Sequence, residues 1–269
     1  MGERGAREGL YCVPNARINA GIGGNRISKG CAIPSSGTLR VGTSGYSYKE
    51  WKGNFYPEKM PAREMLSFYG KRFSTVEINH TFYKMPTAPS LAEWSRAVPE
   101  GFAFALKANR KITHIQRLSD CEESVERFLD AASTLADARR LGPILVQLPP
   151  HFSADLPRLE AFLKLLPSNR RFALEVRHAS WQTAEMYTLL RVFGVALCIA
   201  ETDEESSPAM LTAEFTYVRL RRTAYTAEEL RVWRGKFRTW ADGGTDVYVY
   251  FKHEDSGKAP AYAQRLLGE

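Results

Sequence analysis

The stretch Phe102-Ala-Phe-Ala-Leu-Lys-Ala-Asn109 alternates residue by residue between two kinds of side chain. Successive side chains of a strand point to opposite faces. Phe102, Phe104 and Leu106 therefore share one face, and Ala103, Ala105, Lys107 and Asn109 share the other. The large apolar set is expected to meet helices. The small set, with Lys107, is expected to line the inside of a barrel.

Seven further strand-like runs surround this one, at 39–43, 75–78, 143–148, 172–176, 195–199, 215–220 and 246–251. Most are separated by stretches of helical periodicity. At 61–73, Pro61 stands where a helix would start, and Met65, Tyr69 and Phe73 follow at four-residue spacing. At 121–141, Val125, Phe128, Leu129, Ala132 and Leu135 mark an apolar face, with Gly142-Pro143 as the expected stop. Amphipathic helices are also expected at 156–166, 181–193, 227–240 and 260–267. The connection between 199 and 215 is short and acidic, so the sixth helix is expected to be rudimentary. Strand and helix in alternation predict an α/β fold, a TIM-like (β/α) barrel with a parallel eight-strand core and outer helices.

Such a barrel takes about 250 residues, so a chain of 269 residues holds one domain, 39–269, behind a tail. The tail, 1–38, is basic and rich in glycine, lacks apolar periodicity, and is expected to be disordered. Gly21-Ile22-Gly23-Gly24 follows no convincing strand, and no Gly-Lys-Ser/Thr is present, which argues against a phosphate loop. No apolar run approaches the ~20 residues needed to span a membrane. Cys12, Cys31, Cys121 and Cys198 are scattered without a Cys-x-x-Cys pair, which fits a reducing, cytoplasmic setting. Net charge is +7. That is weak evidence for a nucleic-acid partner unless the bases converge in one cleft.

In barrels of this kind chemistry sits at the C-terminal ends of the strands. Alternation sends Glu77 with Asn79, Lys107, Glu175 with Arg177, and Arg219 with Arg221 towards that mouth. Thr43, Ser44 and Gln147 stand at other strand ends. Buried carboxylates must be paired or used. Glu175 and Glu77 therefore read either as catalytic groups or as neutralising partners of Lys107, Arg177 and Arg219. His178 reads as a third catalytic candidate or as a hydrogen-bond partner of loop backbone. Lys107, Arg177, Arg219 and Arg221 together suit the oxygens of phosphate or carboxylate. The aromatic residues Tyr46, Trp51, Tyr83 and Trp181 are expected either to form a rim that stacks a ring or to plug one side of the barrel.

The sequence leaves the cofactor open. His80, His114, His178, His253, Glu254 and Asp255 could join the glutamates as metal ligands, but no His-x-His or His-x-x-x-His spacing occurs. A tightly bound metal is not favoured.

The motifs Val41-Gly-Thr-Ser-Gly-Tyr46, Trp51-Lys-Gly-Asn-Phe-Tyr-Pro57, Val76-Glu-Ile-Asn79, Ile112-Thr-His114, Gln147-Leu-Pro-Pro150, Leu174-Glu-Val-Arg-His178 and Tyr217-Val-Arg219 occur in this order. The chain resembles the YecE-like family (domain of unknown function 72) from about residue 39 to 267. That resemblance implies a TIM-like barrel and no assigned reaction. Arg221-Arg222 departs from the His-Gly pair found after the seventh strand in many members. The eighth strand also ends differently, on Phe251-Lys-His-Glu-Asp255.

The sequence thus points to an enzyme, of hydrolase, lyase or isomerase type, acting on an anionic, phosphate-bearing small molecule or nucleotide. A nucleic-acid-binding protein or repair-type nuclease, and a non-catalytic module for an anionic metabolite, are the alternatives.

Overall fold

The computed structural model describes residues 36–252 and 257–268. Most of the expected tail, its glycine run, Cys12, Cys31, and His253, Glu254 and Asp255 lie outside the described residues.

Among the described residues, eight parallel strands form one sheet: β1 (Leu39–Thr43), β2 (Thr75–Ile78), β3 (Ala103–Lys107), β4 (Leu141–Gln147), β5 (Phe172–Glu175), β6 (Ala196–Glu201), β7 (Phe215–Leu220) and β8 (Asp246–Phe251). Their order is β1-β8-β7-β6-β5-β4-β3-β2. Helices α1 (Ala62–Gly70), α2 (His80–Tyr83), α3 (Ala88–Ala97), α4 (Glu122–Asp137), α5 (Leu156–Lys164), α6 (Ala184–Phe193), α7 (Ala227–Asp242) and α8 (Lys258–Leu267) connect them. Short polar caps start several helices. Thr183 accepts from Met186 N, Asp155 from Arg158 N, and Thr226 with Glu229 makes a reciprocal capping box. No helix among the described residues is long and apolar enough to cross a membrane.

Two expectations change. The β6–β7 connection carries no helix at all. Its acidic residues instead hold turns, with Thr202 N donating to Glu205 O at 2.7 Å and Asp203 accepting from Thr223 N at 3.0 Å. Gly142-Pro143 does not stop α4, which ends at Asp137, but lies inside β4. The ladder to β3 shifts register there, pairing Phe104 with Leu141 but Leu106 with Ile144. A Cβ on Gly142 would stand 3.2 Å from Phe104 O, so glycine permits the close approach, and the register shift takes up a proline that cannot donate.

The alternation read from β3 holds around the barrel. Ala103, Ala105, Ala173, Ala196 and Cys198 pack inside against Phe215, Tyr217, Tyr248 and Tyr250. Small residues on β3, β5 and β6 thus make room for the large rings of β7 and β8. Phe102, Phe104 and Leu106 join the outer layer beneath the helices.

The barrel closes between β1 and β2 by an unusual seam. Between the backbones of the two strand ends, the described residues show the bridge Ser44–Glu77 and the bond Gly45 N to Glu77 O, 2.7 Å. Lower down, the buried Tyr69 hydroxyl of α1 accepts from Thr43 N at 2.8 Å and donates to Thr75 O at 3.0 Å. A Cβ on Gly42 would stand 2.0 Å from Thr75 O, so any larger residue would part the strands. Tyr69→Phe keeps the ring and strands both backbone groups. It should lower stability by about 1–3 kcal/mol, the cost of a buried polar group left unpaired. Urea unfolding will read this, and an unchanged midpoint would show that the seam does not depend on the hydroxyl.

Candidate functional site

The C-terminal ends of β2, β5 and β7 place Glu77, Glu175 and Arg219 in the centre of the barrel mouth. All three are buried, at 0%, 2% and 2% exposure. Arg219 bridges the two carboxylates, with Nη1 2.5 Å from Glu175 Oε2 and Nη2 2.9 Å from Glu77 Oε1. Around Glu77, the Tyr217 hydroxyl donates to Oε2 at 2.7 Å and the Ser44 hydroxyl donates to Oε1. Asn79 Nδ2 donates in turn to Ser44 Oγ at 2.7 Å. Around Glu175, Oε1 receives Gln147 Nε2 at 2.7 Å and Arg177 Nε at 3.1 Å, with Arg221 Nη1 at 3.6 Å. Arg177 and Arg221 are more open to the mouth, with side chains 32% and 21% exposed.

Lys107 stands at the end of β3 with Nζ 3.9 Å from the centroid of the Phe82 ring. Among the described residues, no hydrogen bond or ion pair reaches that Nζ. His114 lies on a single π-helical turn after β3, Lys111–Ile115, and packs edge-on against the same Phe82 at 4.8 Å. Its Nδ1 is 2.8 Å from Thr113 Oγ1. Such turns recur at functional sites.

These positions set the proton affinities. Burial alone would raise the Glu175 carboxyl, but Arg219, Arg177 and Arg221 outweigh it and bring it down to about 2. Glu77 is also held low against burial, by Arg219, Ser44 and Tyr217. Lys107 moves the other way for a base. Burial, then the Arg219 guanidinium, brings it down to about 8 despite Glu77 and Glu175. His114 is lowered by burial and by Lys107, Arg177 and Arg117.

Lys107, Arg177, Arg219, Arg221, Glu77, Glu175, Asn79, Ser44 and Gln147 therefore share one network or its immediate border. Other candidates fall elsewhere. Thr43 has the parity opposite to Ser44, and its Oγ1 meets Gly45 O and the Tyr69 hydroxyl, outside the barrel. His178 caps a 3₁₀ turn, accepting from Ser180 N, with its Nδ1 2.8 Å from Ser180 Oγ. Trp51 and Trp181 form no rim, being 1% and 0% exposed. Trp51 packs among Tyr48, Phe55 and Tyr56, and Trp181 Nε1 donates to Phe152 O at 2.7 Å. The rings of the aromatic loop pack on one another and on Phe68, Tyr69 and Phe73. Tyr46 is half-buried against Tyr69, whereas Tyr83 is 69% exposed beside Phe82. Both oxygens of Glu175 are occupied, and the arginines hold its carboxyl down at about 2, so it is ionised at neutral pH and a weak proton acceptor. His114 was within a recognised motif, but strand alternation stops at Lys107 and could not aim it at the mouth.

Two glutamates face four cations, and the Nε–H groups of Arg219 and Arg221 are buried without a hydrogen-bond partner among the described residues. The site thus carries a surplus of positive charge among the described residues. Among the described residues, no group of three or more His, Cys, Asp and Glu is placed to hold a metal ion. A cavity of about 240 Å³ opens beside Leu118, Asp120, Glu122 and Arg158, and none of the converging groups lines it.

Comparison with known proteins finds the family model described as "Protein of unknown function DUF72" matching residues 40–269. The UPF0759 protein YecE of Escherichia coli is 35% identical over 114 residues, 42% of this chain and 41% of that protein. The aligned stretch thus spans less than half of YecE. The UPF0759 protein YunF of Bacillus subtilis is 23% identical over 85% of this chain and 93% of its own length. A DUF72 family protein from Thermotoga maritima, known from its crystal structure, superposes with TM-score 0.76 at 26% identity, covering 86% of this chain and 98% of its own. A DUF72 family protein from Enterococcus faecalis, with TM-score 0.72 at 20% identity over 86% of this chain and 97% of its own, shares the fold.

Proposed function

We propose, for a chain that belongs to the DUF72 family of proteins of unknown function, an enzyme acting on an anionic, phosphate-bearing small molecule at the C-terminal mouth of the barrel. The observation that carries this reading is the surplus of cations over carboxylates among the described residues, with two buried guanidinium N–H groups there left unpartnered. A fold of this kind hosts many reactions, so the site has to supply the argument.

The parts divide by depth. Glu77, Glu175 and Gln147, with Ser44 and Asn79, fix the guanidinium of Arg219 and hold the floor rigid. Arg177 and Arg221 stand above it and would bind the phosphate oxygens, with Lys107 beside them. Their charge would also stabilise an oxyanion that develops next to the phosphate, in surroundings where burial strengthens the attraction. Proton transfer falls to Lys107, whose affinity lies nearer neutrality than that of Glu175, and to His114, which packs on the same Phe82 ring. Tyr83, exposed at the edge, offers a face on which a base could stack if the substrate is a nucleotide.

Inorganic phosphate should therefore raise the melting temperature relative to chloride at equal ionic strength. At a hundred times its dissociation constant the stabilisation should be about 2.7 kcal/mol. Arg221→Gln removes a mouth cation without breaking the Arg219 bridges, and should abolish most of that gain while folding normally. No stabilisation by phosphate would sink the anion site. An oligonucleotide that stabilises far more than phosphate or a mononucleotide, with steep loss in salt, would assign the mouth to nucleic acid instead.

A further inference from the structure

We propose that Lys107 is a covalent catalytic residue, forming an imine with an aldehyde or ketone carried by the phosphate-bearing substrate. The proposal rests on the anion-site reading and names the substrate class, a phosphorylated carbonyl compound.

Lys107 differs from the three arginines of the mouth. Arg219, Arg177 and Arg221 each have Glu175 within 4 Å, and Arg219 also has Glu77. The Lys107 ammonium has an aromatic face and no carboxylate partner among the described residues. The charged groups that act on it are Arg219 from β7, Glu77 from β2, Glu175 and Arg177 from the end of β5, and His114 from the turn after β3. An amine that is desolvated and set beside other cations is a recognised activated nucleophile. At about 8, roughly a tenth of Lys107 is uncharged at pH 7, against roughly 1 in 2,500 of an ordinary lysine.

The step needs no oxidant or metal. The neutral Nζ donates its lone pair to the carbonyl carbon, and the carbonyl electrons move to oxygen. A proton passes from nitrogen to that oxygen, giving a carbinolamine. Protonation of the hydroxyl then lets it leave as water, and a protonated imine remains on Lys107. Water reverses the sequence. His114, set against the same Phe82 and lowered in affinity by burial and its cationic neighbours, can carry the proton in both directions. The arginines would hold the phosphate, so the carbonyl a few bonds away meets Nζ. The imine would withdraw electrons from the adjacent carbon, which suits the lyase and isomerase classes more than hydrolysis.

The test uses the full chain with pyridoxal 5′-phosphate, a phosphorylated aldehyde, and cyanoborohydride to reduce any imine in place. Intact mass and peptide mapping should find one pyridoxyl phosphate per chain, on Lys107, suppressed by inorganic phosphate. Pyridoxal without the phosphate should label at least 10-fold less. Lys107→Arg keeps the charge and should lose the label. Should that variant fail to fold, the wild-type mapping decides the matter alone. Labelling spread over surface lysines with Lys107 unmodified overturns the proposal. If phosphate still stabilises the protein in that case, the anion site survives and only the imine falls. If Lys107 is labelled equally by pyridoxal and is indifferent to phosphate, the amine is reactive but the phosphate reading fails, and the proposed substrate class with it.

Discussion

Arg219→Met will lower stability by about 3–5 kcal/mol at pH 7, the scale for a buried ion pair that loses one partner. A domain has about 5–15 kcal/mol in all, so the variant should melt far below the wild type or fail to accumulate. Methionine fills similar space, and the loss comes from charge. Glu77 would keep only neutral donors, Ser44 and Tyr217, and Glu175 would lose its 2.5 Å bridge. Burial would then push the Glu77 carboxyl above its usual range. A carboxyl raised in the folded state favours folding at low pH and loses that contribution as pH rises through the raised value. The deficit relative to wild type should therefore shrink from pH 7 to pH 5. Glu77→Gln added to Arg219→Met should recover part of the loss. Urea unfolding at the two pH values checks all three statements. A melting temperature within a degree of wild type would mean that the bridge does not hold the mouth together.

Acid should remove about 3 kcal/mol of stability through Glu175 alone. The folded carboxyl lies at about 2, whereas an unfolded glutamate titrates at about 4.3. Each unit of difference is worth about 1.4 kcal/mol. Because the folded value is depressed, the contribution is complete above the unfolded value. It fades as pH falls from about 5 towards 2, while the folded state resists protonation and the unfolded state does not. Glu77, also depressed, adds in the same direction. Glu175→Gln should flatten this part of the profile and be less stable than wild type at pH 7. It should also bind phosphate more tightly, since Arg177 and Arg221 lose their shared counter-charge. Parallel acid profiles for variant and wild type would show that Glu175 is not held by the arginines.

The two predictions concern residues whose direction could be read without a structure but whose partners could not. Alternation within a strand is local geometry, fixed by the pleat over five or six residues. That is why Ala103, Ala105 and Lys107 could be sent inward together, and why Glu77, Glu175 and Arg219 followed the same rule. The rule reaches a residue or two past the strand end, as for Asn79, Arg177 and Arg221, and no further. His114, one turn past β3, and His178, just past β5, lay beyond its reach, and one joins the mouth while the other caps a turn. Exposure was equally illegible. A cluster of aromatic residues reads the same whether it is a rim or a plug, and only the structure shows Trp51, Phe55 and Tyr56 packed on one another. Gly142-Pro143 misled because the pair marks helix ends and strand irregularities alike, and the register of β3 against β4 chose the second.

By itself, then, the sequence determined the number and spacing of the strands, the small-residue interior, and the set of charges directed at the barrel mouth. Those follow from periodicity and side-chain volume, which are properties of short segments. Only the tertiary structure decided how the charges are spent on one another. Arg219 meets Glu77 and Glu175 from positions 142 and 44 residues away. Tyr69 spans the seam that β1 and β2 leave open. Closing the barrel fixes which cation takes which carboxylate. It saturates Glu175 and, among the described residues, leaves the Lys107 ammonium with an aromatic neighbour in place of an anion. Electrostatic pairing depends on distance and burial through space, and neither is carried by the order of residues along the chain.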